Sequence, residues 1–243
     1  LHLAPAEAWR LMIEQSRDRA REAFLEYRAT REPAPLGEVF DLCAQELLLV
    51  AHHDSVPAGP GASDDLSGAA IVLEVARALA AGPPPARPFV AVITDAEESG
   101  LLGASAFAER HPWAAEAGAA VNLEARGTSG PSILFDTSGH PAWVARAARR
   151  MPHPVTTSLA PAIYDLLPND TDLTVFKRHG LPGLNLAFAY DVVRYHTPLD
   201  DVEAPGVSDP TTLVEAATLI AIEEARGDGE VLDAGADTDL AVP

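Results

Sequence analysis

Four short apolar runs, separated by helix-like stretches and turns, limit what this 243-residue chain can fold into more than any other feature. They are ELLLVA (46–51), FVAVIT (89–94), AAVNLE (119–124) and GLNLAFA (183–189). Each is too short for a typical helix and suits a strand buried on both faces. Between the first two, DDLSGAAIVLEVARALAAG (64–82) reads as a helix with an acidic start and a glycine stop, followed by the proline-rich connector PPPARP (83–88). Strands alternating with helices predict a mainly parallel sheet covered on both faces, that is, one α/β domain.

In such sheets the ligand crevice lies outside the carboxyl ends of the strands, so the residues following each run matter most. They are VAHHD (50–54), TDAEE (94–98), NLEARG (122–127) and AFAYDVVRYHTPLDD (187–201). Every predicted strand thus delivers His, Asp or Glu to one rim. The clustered carboxylates of Asp95, Glu97 and Glu98 repel one another, and they require either open water or a cation.

Charge narrows the partners. With 17 Lys and Arg against 36 Asp and Glu, the net charge of -19 disfavours a nucleic-acid partner and favours cationic ligands or metal ions. The one cysteine, Cys43, leaves no intramolecular disulfide framework and cannot by itself make a thiolate zinc site. The start LHLAPAEAWR lacks the layout of a secretory signal, and no run approaches the roughly 18 apolar residues of a membrane span. Residues 1–40 are expected to form an atypical helical segment, broken at Pro33 and Pro35. The main domain is expected over 41–227, with an acidic tail over 228–243.

Alternation along HHD puts His52 and Asp54 on one face and turns His53 to the other, beneath the sheet. Asp54 is then placed to take the second N–H of the His52 imidazole. Asp64 and Asp65 stand at a helix start, where an N-cap is the ordinary explanation, but Gly59, Gly61 and Gly68 around them let the backbone approach something closely.

Taken in order, AHHDSVPAGPGASDDLSGAA (51–70), TDAEESGLLGASAF (94–107), NLEARG (122–127), LPNDTDLTVF (167–176) and YHTPLDD (195–201) resemble the zinc-dependent aminopeptidases of the M28 type. The likeness is closest to the branch whose peptidase domain can be joined to membrane-spanning segments. It implies a three-layer α/β/α sandwich with a mainly parallel mixed sheet and a metal site at the C-terminal strand ends. Carried over residue by residue, it makes His52, Asp64, Glu98, Glu124 and His196 the ligands of two zinc ions, with cobalt or manganese as substitutes. Asp64 would bridge, His52 and Glu124 would serve one ion, and Glu98 and His196 the other. Glu97 would be the general base acting on a water shared by the metals, and Tyr195 would stabilise the oxyanion.

The same resemblance makes Asp200 a support for His196 and places Asp172 near substrate. Arg126 could reach a substrate carboxylate or pair with an acid. Leu173 stands where many relatives have His, Glu124 where many have Asp, and Ala104 where Ser is usual. Upstream, only LGEVFDLCAQ (36–45) precedes the first metal strand where relatives carry a helix and two strands, so an uncovered sheet edge is expected. The implied activity is removal of amino-terminal residues from peptides. The alternatives are a single-zinc glutaminyl cyclase and a non-catalytic binding module on the same fold. By the same likeness the location is extracytoplasmic, that is secreted, periplasmic or membrane-anchored.

Overall fold

The computed structural model describes residues 46–81, 89–139, 141–151 and 155–204. The expected amino-terminal segment, the proline-rich connector and the acidic tail lie outside the described residues. Six strands form one sheet: β1 (Glu46–His52), β2 (Phe89–Thr94), β3 (Ala117–Ala125), β4 (Ser129–Ser138), β5 (Val155–Thr156) and β6 (Gly183–Tyr190), in the order β2-β1-β3-β6-β4-β5. The four strands read from the sequence are parallel neighbours, and β4 runs antiparallel to β6. Their C-terminal ends therefore share one rim. Strand β4 escaped the sequence reading because its buried positions alternate and include Ser132 and Asp136, so SGPSILFDTS (129–138) presents no apolar run.

Helices α1 (Leu66–Ala81), α2 (Leu102–Arg110), α3 (Pro141–Arg150), α4 (Ala160–Tyr164) and α5 (Asp172–Arg178) flank the sheet. On one face, Ile71, Val72, Val75 and Leu79 of α1 and Trp143 of α3 pack on Leu47, Leu49, Val121, Leu123, Leu184 and Leu186. On the other, Ala104 of α2 and Leu173, Val175 and Phe176 of α5 pack on Leu48, Val50, Val90, Val92 and Ala120. Burying each Leu or Val contributes about 1.5–3 kcal/mol. That alternation pins the register of β1, because a slip of one residue would carry His52 to the opposite face.

Every residue of β1 is buried, as expected for a strand with neighbours on both sides. Among the described residues β2 is an edge strand, with Ile93 37% exposed; the upstream segment on which the expected uncovered edge rests lies outside them. No helix among the described residues is long and apolar enough to cross a membrane.

Candidate metal centre

Five donor side chains converge on the rim from different elements: His52 at the end of β1, Glu124 in β3, Glu98 after β2, Asp64 before α1 and His196 after β6. They form two groups that share Asp64, namely His52, Asp64 and Glu124, and Asp64, Glu98 and His196. Within each group the ligating atoms lie within 4.8 Å of one another. Asp64 faces both imidazoles with different oxygens: Oδ1 is 3.5 Å from His52 Nε2 and Oδ2 is 3.0 Å from His196 Nε2. Glu124 Oε2 stands 3.8 Å from His52 Nε2, and Glu98 Oε1 stands 2.9 Å from His196 Nε2. Tetrahedral zinc with ligands at about 2.0–2.2 Å sets neighbouring donors roughly 3.3–3.6 Å apart, so this nitrogen and oxygen set fits such an ion at each group.

The surrounding hydrogen bonds orient these donors. His52 Nδ1 sits 2.9 Å from the backbone carbonyl of Asp54, and an Nδ1–H donated there leaves the Nε2 lone pair facing Asp64 and Glu124. The Asp54 carboxylate, 3.5 Å from the ring, does not take that N–H as the alternation suggested. It accepts the backbone N–H groups of Glu97 at 3.0 Å and Glu98 at 3.2 Å, and so ties the acidic turn to the end of β1. Strand β1 ends at His52, so the strict alternation no longer governs the residues beyond it. His53 likewise is not beneath the sheet: it is exposed, 3.8 Å from the exposed Asp95, whose carboxylate accepts the N–H of Ala96 in its own turn.

Asp65 accepts Gly68 N–H at 3.1 Å, the N-cap role, and also His52 N–H at 3.2 Å. The peptide bond joining it to Asp64 is cis. Asp200 does not support His196. Its carboxylate accepts Ser63 N–H at 2.8 Å and Asp64 N–H at 3.1 Å, holding the loop that presents the shared ligand. The close approaches foreseen for the glycines are made within the protein: a Cβ on Gly59 would lie 2.8 Å from the Thr197 carbonyl oxygen, and one on Gly61, at φ +70°, would lie 2.5 Å from the Ser55 Cβ. His196 itself has φ +59°, a left-handed conformation held by the packed loop around it.

Two residues with no assigned part complete the support. Asn122 Nδ2 donates to Glu124 Oε1 at 3.1 Å and to Asn185 Oδ1 at 3.0 Å, and Asn185 Nδ2 donates to Thr171 Oγ1 at 2.8 Å. Both asparagines are fully buried and stand opposite each other in β3 and β6. A lone Asn inside an otherwise apolar strand was the signal available in the sequence. Asn185→Ala leaves buried partners unsatisfied and is expected to cost about 1–3 kcal/mol of stability. Denaturant unfolding would read this, and an unchanged midpoint would deny the chain its structural role.

Electrostatics set the character of the cluster. Burial, reinforced by the charge of Glu124, pushes the Glu97 carboxyl up to about 9, and burial with Asp64 pushes Glu98 up to about 7. Glu124 is raised for the same reasons, burial first. Burial would lower His52, but its bonds to Asp64 and Glu124 outweigh that and raise it, while Asp64 above all raises His196. Burial opposes ionisation of Asp64, yet the two imidazoles hold its carboxyl below the usual range. Burial and mutual repulsion of this kind are what a divalent cation offsets, because its charge favours the ionised carboxylates.

A cavity of about 720 Å³ opens over the cluster. Glu97 lines it without belonging to either donor group. Tyr195 lines it too, its ring stacked on His196 at 3.7 Å, with Arg126 lying over the ring at 4.3 Å. Arg126 therefore lies at the site and pairs with no acid among the described residues. The cavity lining also includes the apolar residues Ile133, Phe135, Ile163, Leu167 and Ala187. Asp172 is absent from that lining: it is 1% exposed, bonds Thr94 Oγ1, and is pushed by burial to about 6. Leu173 beside it is core.

Residues 40–222 match the sequence profile of peptidase family M28. Over 162 residues the chain is 36% identical to endoplasmic reticulum metallopeptidase 1 of Rattus norvegicus, covering 65% of this chain and 18% of that protein. Over 165 residues it is 37% identical to the vacuolar membrane protease of Candida dubliniensis, covering 67% of this chain and 17% of that protein. The chain thus spans less than a fifth of the length of these relatives. Among solved structures, a zinc aminopeptidase from Bacillus subtilis matches with a TM-score of 0.63 at 22% identity, covering 76% of this chain and 47% of that one. A Bacteroides thetaiotaomicron glutaminyl cyclase matches with a TM-score of 0.56 at 18% identity, covering 76% of this chain and 74% of that one. These two share the fold. The profile spans most of the chain and takes in all five converging donors, and on that ground the chain belongs to peptidase family M28.

Proposed function

We propose that this chain is a two-zinc metallopeptidase that removes amino-terminal residues from peptides. The observation that supports this best is the sharing of Asp64 by two three-donor groups, with Glu97 lining the cavity beside them and in neither. In this reading His52, Asp64 and Glu124 hold one ion, and Asp64, Glu98 and His196 the other. Bound zinc ions supply Lewis acidity and an acidified water at neutral pH. Glu97 accepts a proton from the attacking water and passes it to the departing amine, so both protein and proton count return to their starting state. The Tyr195 hydroxyl, kept protonated by burial, donates to the oxyanion.

The preference for an amino terminus rests on charge. Two bound zinc ions would offset the carboxylates that hold them, so what attracts an α-ammonium group is Glu97 beside them and the net charge of -19 on the chain. Residues 41–227 form the metallopeptidase domain in this reading, with 1–40 and 228–243 outside it. The named locations of the two relatives favour a non-cytosolic compartment or a membrane-associated setting.

Elemental analysis of the purified chain, together with hydrolysis of aminoacyl coumarin amides, tests the proposal. About two zinc ions per chain are expected, with activity lost to a chelator and restored by zinc. About one ion, with cyclisation of an amino-terminal glutamine in place of hydrolysis, would replace this reading with the cyclase. A zinc-loaded protein that turns over neither substrate would make it a binding module.

A further inference from the structure

Resting on the peptidase reading above, we propose that Arg126 captures the free α-carboxylate of the substrate, so that the preferred substrates are dipeptides. Arg126 is exposed, lines the same cavity as Asp64, Glu97, Glu98 and Glu124, and joins no ion pair with them. Lys or Arg ion pairs among the described residues join Arg77 to Glu74, Lys177 to Asp136, Arg178 to Asp170 and Arg194 to Asp191, and none involves Arg126. Arg178 also lines the cavity, but Asp170 already neutralises it at 3.3 Å. The guanidinium of Arg126 instead lies over the Tyr195 ring and close to its hydroxyl, and its five N–H donors leave others for a carboxylate.

Position sets the length of substrate. The guanidinium is 4.3 Å from the Tyr195 ring, which is 3.7 Å from the His196 ring, so the cation lies within about 8 Å of a candidate metal ligand. One residue of extended chain covers roughly 3.3–3.6 Å, and a charge-assisted N–H···O contact adds about 2.7–2.9 Å. A carboxylate one residue beyond the scissile carbonyl falls within that reach, and each added residue carries it further away. Charge also selects: with zinc offsetting the acids that hold it, Arg126 is a cavity cation without an acidic partner among the described residues, and in a chain of net charge -19 it is where an anionic group would be met. The zwitterion of a dipeptide meets both conditions, its ammonium beside Glu97 and its carboxylate on Arg126.

The test compares Leu-Gly with Leu-glycinamide, which differ only in the carboxylate, on the zinc-loaded full chain. Native protein is expected to favour Leu-Gly in kcat/KM by about tenfold to a hundredfold, the range for a charge-assisted bond. Arg126→Met, which keeps the apolar stem over Tyr195, should erase that ratio mainly through KM, and Arg126→Lys should restore part of it. A ratio that stays the same in Arg126→Met overturns the proposal. So does an equal fall in kcat for both compounds, which would mean that the guanidinium acts through Tyr195. Failure to cleave either compound overturns the peptidase reading and this one together, whereas cleavage of both without preference overturns this one alone.

Discussion

Replacing Glu97 by Gln is expected to lower turnover of aminoacyl amides by a factor of about 10²–10⁴, the usual contribution of a positioned general base, while metal content stays at the native level. Glutamine keeps the size and shape of the side chain but cannot accept the proton. Its place outside both donor groups means that no ligand is lost, and its backbone N–H still donates to Asp54, so the acidic turn keeps its position. Burial and the charge of Glu124 push the Glu97 carboxyl up to about 9, a value that by itself would make it a poor base at neutral pH. Two divalent charges nearby would draw it down toward the working range, where acceptance from water and release to an amine are both feasible. Rate assays paired with elemental analysis decide the matter. Native turnover in the Gln variant would remove Glu97 from the chemistry, and loss of zinc would make it a ligand.

The second large effect would separate Asp64, proposed as a ligand shared by two ions, from His196, proposed as a ligand of one. Asp64→Ala is expected to lose both ions and to lower activity by about 10³-fold or more, whereas His196→Ala should lose about one ion. Geometry gives the reason: one oxygen of Asp64 faces His52 and the other faces His196, whereas His196 Nε2 meets Asp64 and Glu98, both of one donor group. The Asp64 substitution should not unfold α1, because Asp65 supplies its cap and Asp200 binds the Asp64 backbone rather than the side chain. Metal stoichiometry by elemental analysis distinguishes the two variants. Equal losses in both would mean that the donors form a single site.

How far the sequence could be read depended on how each residue is held. Apolar runs ending in acids and histidines predicted the four parallel strands and their common rim, since burial period and strand length are local properties of the chain. The five ligand candidates were legible as motifs, and the fold brings all five together. Strand β4 was not legible, because its buried positions alternate and include Ser132 and Asp136, so it presents no apolar run. Asp54, Asp200 and Asp172 were singled out, but with different contacts from those they make.

Residue type and spacing along the chain determined the α/β class and the acid-rich rim, features that follow from periodicity and charge, which neighbouring residues settle among themselves. The donor set was read instead from motifs whose order resembles that of the family. Tertiary structure alone decided which acids face the cavity and which hold the backbone: Asp54 and Asp200 accept main-chain N–H groups, Asp172 is buried against Thr94, and Asn122 and Asn185 join two strands beneath Glu124. It also put Arg126 across Tyr195. A carboxylate's partner is whichever donor the fold brings within about 3 Å, and that distance is a property of the packed chain, not of its order.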